Sequence, residues 1–409
     1  MINQSVGVGR KPGIWALWLW LAFHVPLSVF ADNRADISRE IAVLVDVGTV
    51  MLHTEESQPV FSHHADARLI PASLMKILSS WISIGLLGKE YRFHTEFYVD
   101  DRNNLLIRGL GDPFLISEEI AEIARGFKQK GLSQINRIVL DRSAFSPDIK
   151  IPGISNTLSP YDALNGALVV NFNTLNLGRD PTGIVFSAEK ETPLTPLAKN
   201  KGKMIPIGKT ERMNLTDEPI ESLQYAGELF QHFFKNQGIA VVHSDIGYEA
   251  VSPRWSLYHI HRNGKTLEMI LSGLLKYSNN YIANQIFLII GALKYGYPTD
   301  LTKARKVFQS VIRKELQTNA DELIFDEASG LSRNNVMTGK VMMRVLEKFR
   351  PHAYLLTESS GTLIKSGTLT GVYNYAGYFK TKKGLRPFVI MLNQKRNHRD
   401  KILKILRRL

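Results

Sequence analysis

The chain has 409 residues, a formal net charge of +13, 44% hydrophobic residues and no cysteine. This length and apolar content favour two folded units over one. The lack of cysteine excludes disulfides, thiol catalysis and cysteine metal sites, and the basic charge favours an anionic partner.

The first 31 residues have the pattern of an export signal. Arg10 and Lys11 precede an apolar run over residues 14–30, and Ala31 offers a small residue for cleavage. We therefore predict a signal peptide over residues 1–31 and a periplasmic mature protein. An uncleaved membrane anchor is the alternative, because the apolar run is long for a signal peptide.

Lysine and arginine dominate residues 380–408, where Asp400 is the only acidic residue. Nucleic acid is the usual partner of such a basic tail. Export argues against nucleic acid and leaves anionic lipid headgroups or cell-wall polymer, so peripheral membrane contact through the C-terminus is one possibility.

Hydrophobic patterning predicts strands and helices along the whole chain. Short strands are expected at 41–47, 50–52 and 59–61, followed by a helix that begins near Ser73. Further strands are expected at 93–99, 105–108, 135–141, 167–173 and 239–243, with helices at 118–130 and 222–236. After these we expect helices at 266–276, 281–295, 299–316 and 338–349, and strands at 363–368, 375–379 and 387–392. A last amphipathic helix at 399–409 is expected to pack on the core rather than on a membrane.

Ser73-Leu74-Met75-Lys76 places a hydroxyl and an amine one helical turn apart on the same face. A hydroxyl needs a base before it acts as a nucleophile, and a neutral Lys76 could be that base. The spacing alone is weak evidence, because Ser187-Ala188-Glu189-Lys190 has it too.

Two later runs accompany the first. Ser278-Asn279-Asn280 lies between two apolar helices, and Lys365-Ser366-Gly367-Thr368 lies on a strand near the C-terminus. Taken singly, Ser278 and Asn280 read as helix caps and Lys365 as a solvated strand residue. In this order, however, the three runs resemble the signature of penicillin-binding proteins and serine β-lactamases.

The resemblance narrows to one branch of that group. Residues 106–113, 161–173 and 329–333, and the long gap between Ser73 and Ser278, resemble the D-Ala-D-Ala carboxypeptidase/endopeptidase branch of low-molecular-mass class C type. The resemblance implies an α+β fold. A β-lactamase/transpeptidase-like domain, an antiparallel sheet flanked by helices, would span 32–92 and 255–409, with a strand-rich α+β domain inserted at 93–254.

The resemblance also implies catalytic roles. Ser73 would attack the carbonyl carbon between two D-alanines, with Lys76 as its base. Lys365 and burial would lower the pKa of Lys76. Ser278 would relay the proton to the leaving amine, and Asn280 would hold Lys76 and the amide of the substrate.

The third run would bind substrate. Lys365, Ser366 and Thr368 would receive the terminal carboxylate of a stem peptide or a β-lactam, and Gly367 would permit close approach. The backbone N–H groups of Ser73 and Thr368 would form the oxyanion hole. Ser366 replaces the threonine common in the family but keeps the hydroxyl. We expect no cofactor and no metal.

The resemblance thus implies a serine D-Ala-D-Ala carboxypeptidase that acts on peptidoglycan stem peptides ending in D-Ala-D-Ala and is inhibited by β-lactam antibiotics. One alternative is a D,D-endopeptidase that cleaves peptide cross-links at the same site. A second is a non-catalytic cell-envelope binding protein with the same fold. A β-lactamase is disfavoured because the sequence marks no carboxylate for deacylation.

Overall fold

A computed structural model describes residues 27–409. The helices in this range are α1 Leu27–Ala42, α2 Met75–Leu87, α3 Ser117–Gln129, α4 Pro196–Gly202, α5 Pro219–Asn236, α6 Leu267–Tyr277, α7 Asn280–Tyr295, α8 Leu301–Leu316, α9 Gly339–Phe349 and α10 Arg399–Leu406. Short 3₁₀ turns lie at Ala72–Leu74, Pro160–Asp162, Asn171–Asn173 and Arg350–Leu355.

The strands in the same range are β1 Gly48–His53, β2 Pro59–His63, β3 His94–Val99, β4 Leu105–Gly109, β5 Gln134–Ile135, β6 Ile138–Asp141, β7 Thr174–Arg179, β8 Val185–Ser187, β9 Thr210–Asn214, β10 Ala240–Val241, β11 Ile246–Tyr248, β12 Ser256–Arg262, β13 Leu323–Ile324, β14 Val336–Met337, β15 Thr357–Ser359, β16 Thr362–Leu369, β17 Val372–Thr381 and β18 Gly384–Leu392.

A six-stranded antiparallel sheet joins the two ends of the chain. Its order is β15-β16-β17-β18-β1-β2, so the early strand β1 pairs with the late strand β18. Successive side chains of a strand face opposite sides. Phe388 and Ile390 therefore pack with α1 and α10, whereas Val389 and Met391 pack with α2 and its neighbouring helices.

The helices on the second face form the larger core, in which α2 packs against α6, α7 and α9. Polar caps fix where its helices begin. Asn279, Asp300 and Thr338 each accept a hydrogen bond from a backbone N–H in the first turn of α7, α8 and α9. The start of α7 is thereby set at the point where it meets α2.

A second, five-stranded sheet has the order β11-β6-β4-β3-β12 and mixes parallel and antiparallel pairs. Helices α3 and α5 pack with it in a separate apolar core. The division into 32–92 with 255–409 and an insert at 93–254 stays a prediction. Strand β12 starts after residue 254 and belongs to this second sheet, and Phe145 and Val169 pack in the larger core.

Two predicted strands are wrong. Residues 41–47 complete α1 and a turn, because Ile37 and Ile41 are spaced for a helix and are buried against the sheet, whereas Val43 is 81% exposed. Residues 167–173 lead into a 3₁₀ turn in which Asn171 and Asn173 have positive φ. The buried asparagine side chains bond Ser117 N, Asn214 and Thr216 O, and the strand starts only at 174.

The terminal predictions have different outcomes. Helix α10 buries Ile402, Ile405 and Leu406 against the sheet, which confirms the packing expected at 399–409. The predicted signal peptide lies mostly outside the described residues, and α1 runs through Ala31 without a break. No helix within residues 27–409 is long and apolar enough to cross a bilayer.

Candidate active site

Ser73 lies in the 3₁₀ turn that leads into α2. Pro71 precedes this turn and the α-helix begins at Met75, so the serine is in the first turn as predicted, although that turn is tighter than an α-helix. Ala72 has a left-handed φ of 47°. Such a conformation is costly for a residue with a side chain and is found where surrounding structure enforces it.

Lys76 has a side chain that is 0% exposed. Its Nζ lies 3.0 Å from Ser73 Oγ, 2.8 Å from Asn280 Oδ1 and 2.7 Å from the carbonyl oxygen of Ser329. The spacing of serine and lysine therefore produces the contact that the sequence predicts, and two further acceptors complete the surroundings of the amine.

The pKa of Lys76 is well below its ordinary value. Burial is the largest cause, the positive charge of Lys365 adds to it, and Glu327 opposes both. A neutral amine has two N–H groups and one lone pair. Asn280 Oδ1 and Ser329 O can only accept hydrogen bonds, so in the neutral form of Lys76 they would take the two N–H groups and leave the lone pair for Ser73 Oγ.

The second run sits where α6 meets α7. Ser278 ends α6 with a left-handed φ of 56°, and Asn279 caps α7 by accepting from Ile282 N. The capping role thus belongs to Asn279 and leaves the other two side chains for the site. Asn280 accepts from Lys76, and its Nδ2 donates to Tyr161 O at 3.4 Å, an arrangement that orients the amide.

The third run lies on β16. Lys365 is 3% exposed, and its Nζ donates to Ser278 Oγ at 2.9 Å and to Ser366 O at 2.8 Å. Burial lowers the pKa of Lys365 to about 8. The second and third runs are therefore joined directly by a hydrogen bond.

Gly367 brings β16 against the turn that carries the serine. A Cβ at Gly367 would lie 2.8 Å from Pro71 O and 3.2 Å from Ser73 N. The glycine is therefore required by contact with the protein's own backbone, a reason that differs from the predicted approach of a ligand. All three runs thus meet around the serine.

Sequence comparison decides the family. Residues 38–188 and 208–357, more than half of the chain, match the D-Ala-D-Ala carboxypeptidase 3 (S13) family. The chain belongs to this family. The predicted resemblance to penicillin-binding D-Ala-D-Ala carboxypeptidases is confirmed, and this S13 protein is a serine peptidase by membership. The Lys365 run lies beyond the matched residues.

Relatives of this S13 protein cover nearly its whole length. It is 23% identical to the D-alanyl-D-alanine carboxypeptidase DacB of Haemophilus influenzae, over 91% of each chain. The crystal structure of penicillin binding protein 4 (dacB) from Haemophilus influenzae aligns with a TM-score of 0.69 and 19% identity, over 89% of this chain and 94% of the other. The predicted α+β class is confirmed.

A further structural neighbour is the Bd0816 predatory endopeptidase of Bdellovibrio bacteriovorus, solved with an immunity protein. It aligns with a TM-score of 0.53 and 13% identity, over 84% of this chain and 86% of the other. This likeness concerns the fold.

Sequence reasoning missed the loop that supplies Ser329 O. Glu327 is 0% exposed and accepts hydrogen bonds from Asn284 Nδ2, from Ser329 N and Oγ, from Ser332 N and from Asn335 Nδ2. These bonds hold the loop rigidly beside α2. In the sequence, residues 329–333 stand out only through the resemblance, and the acidic residue just before them is the available signal.

The second Ser-x-x-Lys spacing, Ser187 to Lys190, is not part of this site. Ser187 ends β8, where its Oγ donates to Glu189 O. No group of three histidine, aspartate or glutamate side chains arranged for a metal ion occurs in the part of the chain that the structure describes.

Proposed function

We propose that Ser73 is the nucleophile of a D-Ala-D-Ala carboxypeptidase that cleaves peptidoglycan stem peptides through an acyl-enzyme. One observation carries the proposal: the Nζ of the buried Lys76 lies 3.0 Å from Ser73 Oγ, where Asn280 Oδ1 and Ser329 O also hold it. Family membership supports the reaction class. The name of the Haemophilus relative supports the same activity.

Acylation begins when Lys76 accepts the proton of Ser73 and Oγ attacks the carbonyl carbon of the penultimate D-alanine. The bond to the terminal D-alanine breaks, and the proton passes through Ser278 to the leaving amine. Lys365, bonded to Ser278 Oγ, orients that hydroxyl for the transfer. Water then hydrolyses the ester and releases the shortened peptide.

Asn280 has two tasks in this scheme: it holds Lys76 and receives the peptide amide of the substrate. Backbone N–H groups of Ser73 and Thr368 stabilise the oxyanion, a contribution worth about 10²- to 10³-fold in rate for one donor. Lys365 and the hydroxyls of Ser366 and Thr368 receive the terminal carboxylate. β-Lactams acylate the same serine, in keeping with a β-lactam complex of the Haemophilus relative.

We also propose that the protein is periplasmic and is exported by the signal peptide at 1–31. The basic residues of the C-terminal segment would contact anionic lipid headgroups at the membrane surface. The side of α10 that packs on the sheet is not available for this contact, because Ile402, Ile405 and Leu406 are buried. Exposed lysines such as Lys401 and Lys404 would provide it.

Digestion of defined muropeptides tests the reaction. A monomeric pentapeptide muropeptide is expected to lose one D-alanine, and Ser73→Ala protein is expected to leave it intact. A D-Ala-linked dimer is included because the endopeptidase neighbour favours that second activity. Cleavage of the dimer alone would replace carboxypeptidase with endopeptidase, and no cleavage of either by folded protein would favour the non-catalytic alternative.

A further inference from the structure

Arg399 is the first residue of α10 and reaches the strand that carries the third run. Its Nη1 donates to Thr368 Oγ1 at 2.7 Å. Ser366 and Thr368 project from the same face of β16, opposite to Lys365 and Gly367. The guanidinium therefore stands beside the two hydroxyls that are expected to receive the carboxylate of the substrate.

Tyr375 holds the guanidinium in place. It lies opposite Ser366 in the ladder between β16 and β17, and Arg399 Cζ stacks over its ring, 4.4 Å from the centroid. The next residue, Asp400, accepts from the Tyr375 hydroxyl at 3.0 Å. The carboxylate of Asp400 is thus used on the tyrosine, and the arginine is oriented by stacking.

The guanidinium of Arg399 has more N–H donors than its hydrogen bond to Thr368 uses. An arginine carries five N–H donors in a planar fork, and Arg399 forms no ion pair within residues 35–409. Its Nε is buried and has no hydrogen-bond partner in that range. A carboxylate is the partner that matches the planar fork of a guanidinium.

The guanidinium lines a groove together with residues of the second and third runs. Ser278, Lys365, Ser366 and Arg399 line the same open groove of about 490 Å³. A peptide bound in this groove would therefore contact both the third run and the guanidinium.

We propose that Arg399 is a substrate-binding residue that pairs with the terminal carboxylate of the peptide, next to Thr368. This inference rests on the proposed function and names a residue of its carboxylate site. Tyr375 is the positioning residue for the arginine. Recognition then requires a free carboxylate on the leaving residue, and capping that carboxylate as an amide removes the partner of the guanidinium.

The test compares diacetyl-L-Lys-D-Ala-D-Ala with its C-terminal amide, with Kd measured by NMR titration in a Ser73→Ala background. The protein with Arg399 is expected to bind the acid about 10- to 100-fold more tightly than the amide. Arg399→Ala is expected to reduce this preference about 10-fold, because Lys365, Ser366 and Thr368 still receive the carboxylate. Arg399→Lys, which keeps the charge but loses the fork, is expected to reduce the preference less.

Arg407→Ala is the matched control. This arginine is on the same C-terminal segment and lines the same groove, but it donates to Ser360 O and to Thr362 Oγ1. Its loss is expected to leave the preference for the acid unchanged. Equal binding of acid and amide by protein with Arg399, or an unchanged preference in both Arg399 variants, would overturn the proposal.

The Kd measurement does not require hydrolysis of the peptide. The proposed function and the proposed role of Arg399 can therefore be rejected independently of each other. A preference for the acid that depends on Arg399, in a protein whose Ser73 form hydrolyses no peptide, would reject the proposed function and support the carboxylate site. Hydrolysis by protein with Ser73 at a kcat/KM that Arg399→Ala leaves unchanged would reject the site and support the function.

Discussion

Lys76 Nζ and the carbonyl oxygen of Ser329 lie 2.7 Å apart, although 253 positions separate them in the chain. A carbonyl accepts a hydrogen bond without bringing a full negative charge next to the amine. The carboxylate in this loop, Glu327, is occupied by bonds within the loop and with Asn284 and Asn335. The loop therefore orients the lysine while leaving its pKa low.

The first prediction concerns the nucleophile. Ser73→Ala is expected to abolish labelling by a fluorescent penicillin, because the alanine has no oxygen to acylate, while thermal unfolding stays close to that of the wild type. Ser187→Ala removes the serine of the second Ser-x-x-Lys spacing, and this variant is expected to be labelled as fully as the wild type. Mass spectrometry of labelled peptides locates the adduct, and labelling retained by Ser73→Ala would reject the assignment.

The second prediction concerns the pH dependence of acylation. The rate should rise with pH as Lys76 loses its proton, with a midpoint well below the ordinary lysine pKa of about 10.4. Lys365→Gln removes a positive charge that lowers the pKa of Lys76, so the rising limb should move to higher pH. Stopped-flow acylation by a chromogenic β-lactam from pH 5 to 10 measures this.

The quantity to compare is the pH midpoint of the rising part of the rate profile. The maximal rate is not used, because Lys365 also has a role in binding. Lys276→Gln is the control: this lysine lines the groove but is exposed and is not among the causes of the shift in the pKa of Lys76. A limb that stays in place in Lys365→Gln would contradict the argument from charge.

The third prediction uses Gly330, which has a φ of +80° in the loop beside the nucleophile. A Cβ there would lie 1.8 Å from Ala72 O. Since a backbone oxygen cannot rotate away, Gly330→Ala must displace the turn that carries Ser73. Acylation should fall roughly 10²-fold, and the free energy of unfolding should fall by more than the roughly 1–2 kcal/mol of a left-handed alanine.

Gly361→Ala is the control that separates the cost of a left-handed alanine from the cost of a steric clash with Ala72 O. Gly361 has a φ of +71° with nothing near its missing Cβ, so the variant should lose only the cost of the left-handed alanine and keep its rate of acylation. Urea unfolding and penicillin acylation measure both quantities. Equal effects of the two substitutions would disprove the collision.

The fourth prediction concerns Asp112, which is buried and accepts hydrogen bonds from Asn263 Nδ2 and Phe114 N. Burial raises its pKa to about 6 from 3.8. The hydrogen bonds from Asn263 and Phe114 oppose this shift, Glu119 adds to it, and His261 opposes it. A carboxyl group with a raised pKa in the folded state stabilises the fold at low pH and loses that contribution as pH rises from about 4 to about 6.

Asp112→Asn stays neutral throughout this range. Relative to wild type, its free energy of unfolding should therefore rise by about 2 kcal/mol between pH 4 and pH 7. Denaturant unfolding at a series of pH values checks the difference between the two proteins. Parallel curves would show that the folded-state pKa of Asp112 is close to its ordinary value.

The sequence predicted the elements whose pattern is local. Helices α6 to α9 and strands β16 to β18 lie within a few residues of their expected places, because apolar spacing and caps such as Asn279 and Thr338 act over one turn. The contact of Lys76 with Ser73 followed from spacing alone. The assignment of Ser278 and Lys365 to the same site followed from the order of the three runs and from the resemblance.

The features that could not be predicted from the sequence depend on contacts between residues far apart in the chain. The run 41–47 is rich in β-branched residues. A helix forms there instead of a strand, because Ile37 and Ile41 pack against the sheet and α10. The Ser329 carbonyl and Arg399 reach the site only through the packing of other elements. A backbone acceptor leaves no mark in a sequence motif, and an arginine in a basic tail is indistinguishable from its neighbours.

The pairing of Gly48 with Leu392 fixes the order in which the protein can become active. A ribosome makes β1, β2 and Ser73 early, but β18 and Lys365 come last, so the edge of β1 that pairs with β18 stays open during most of synthesis. Loop closure over such a separation is slow. Shortened translation products would carry the reactive serine without a functioning site, and their unpaired apolar strand would make them prone to aggregate.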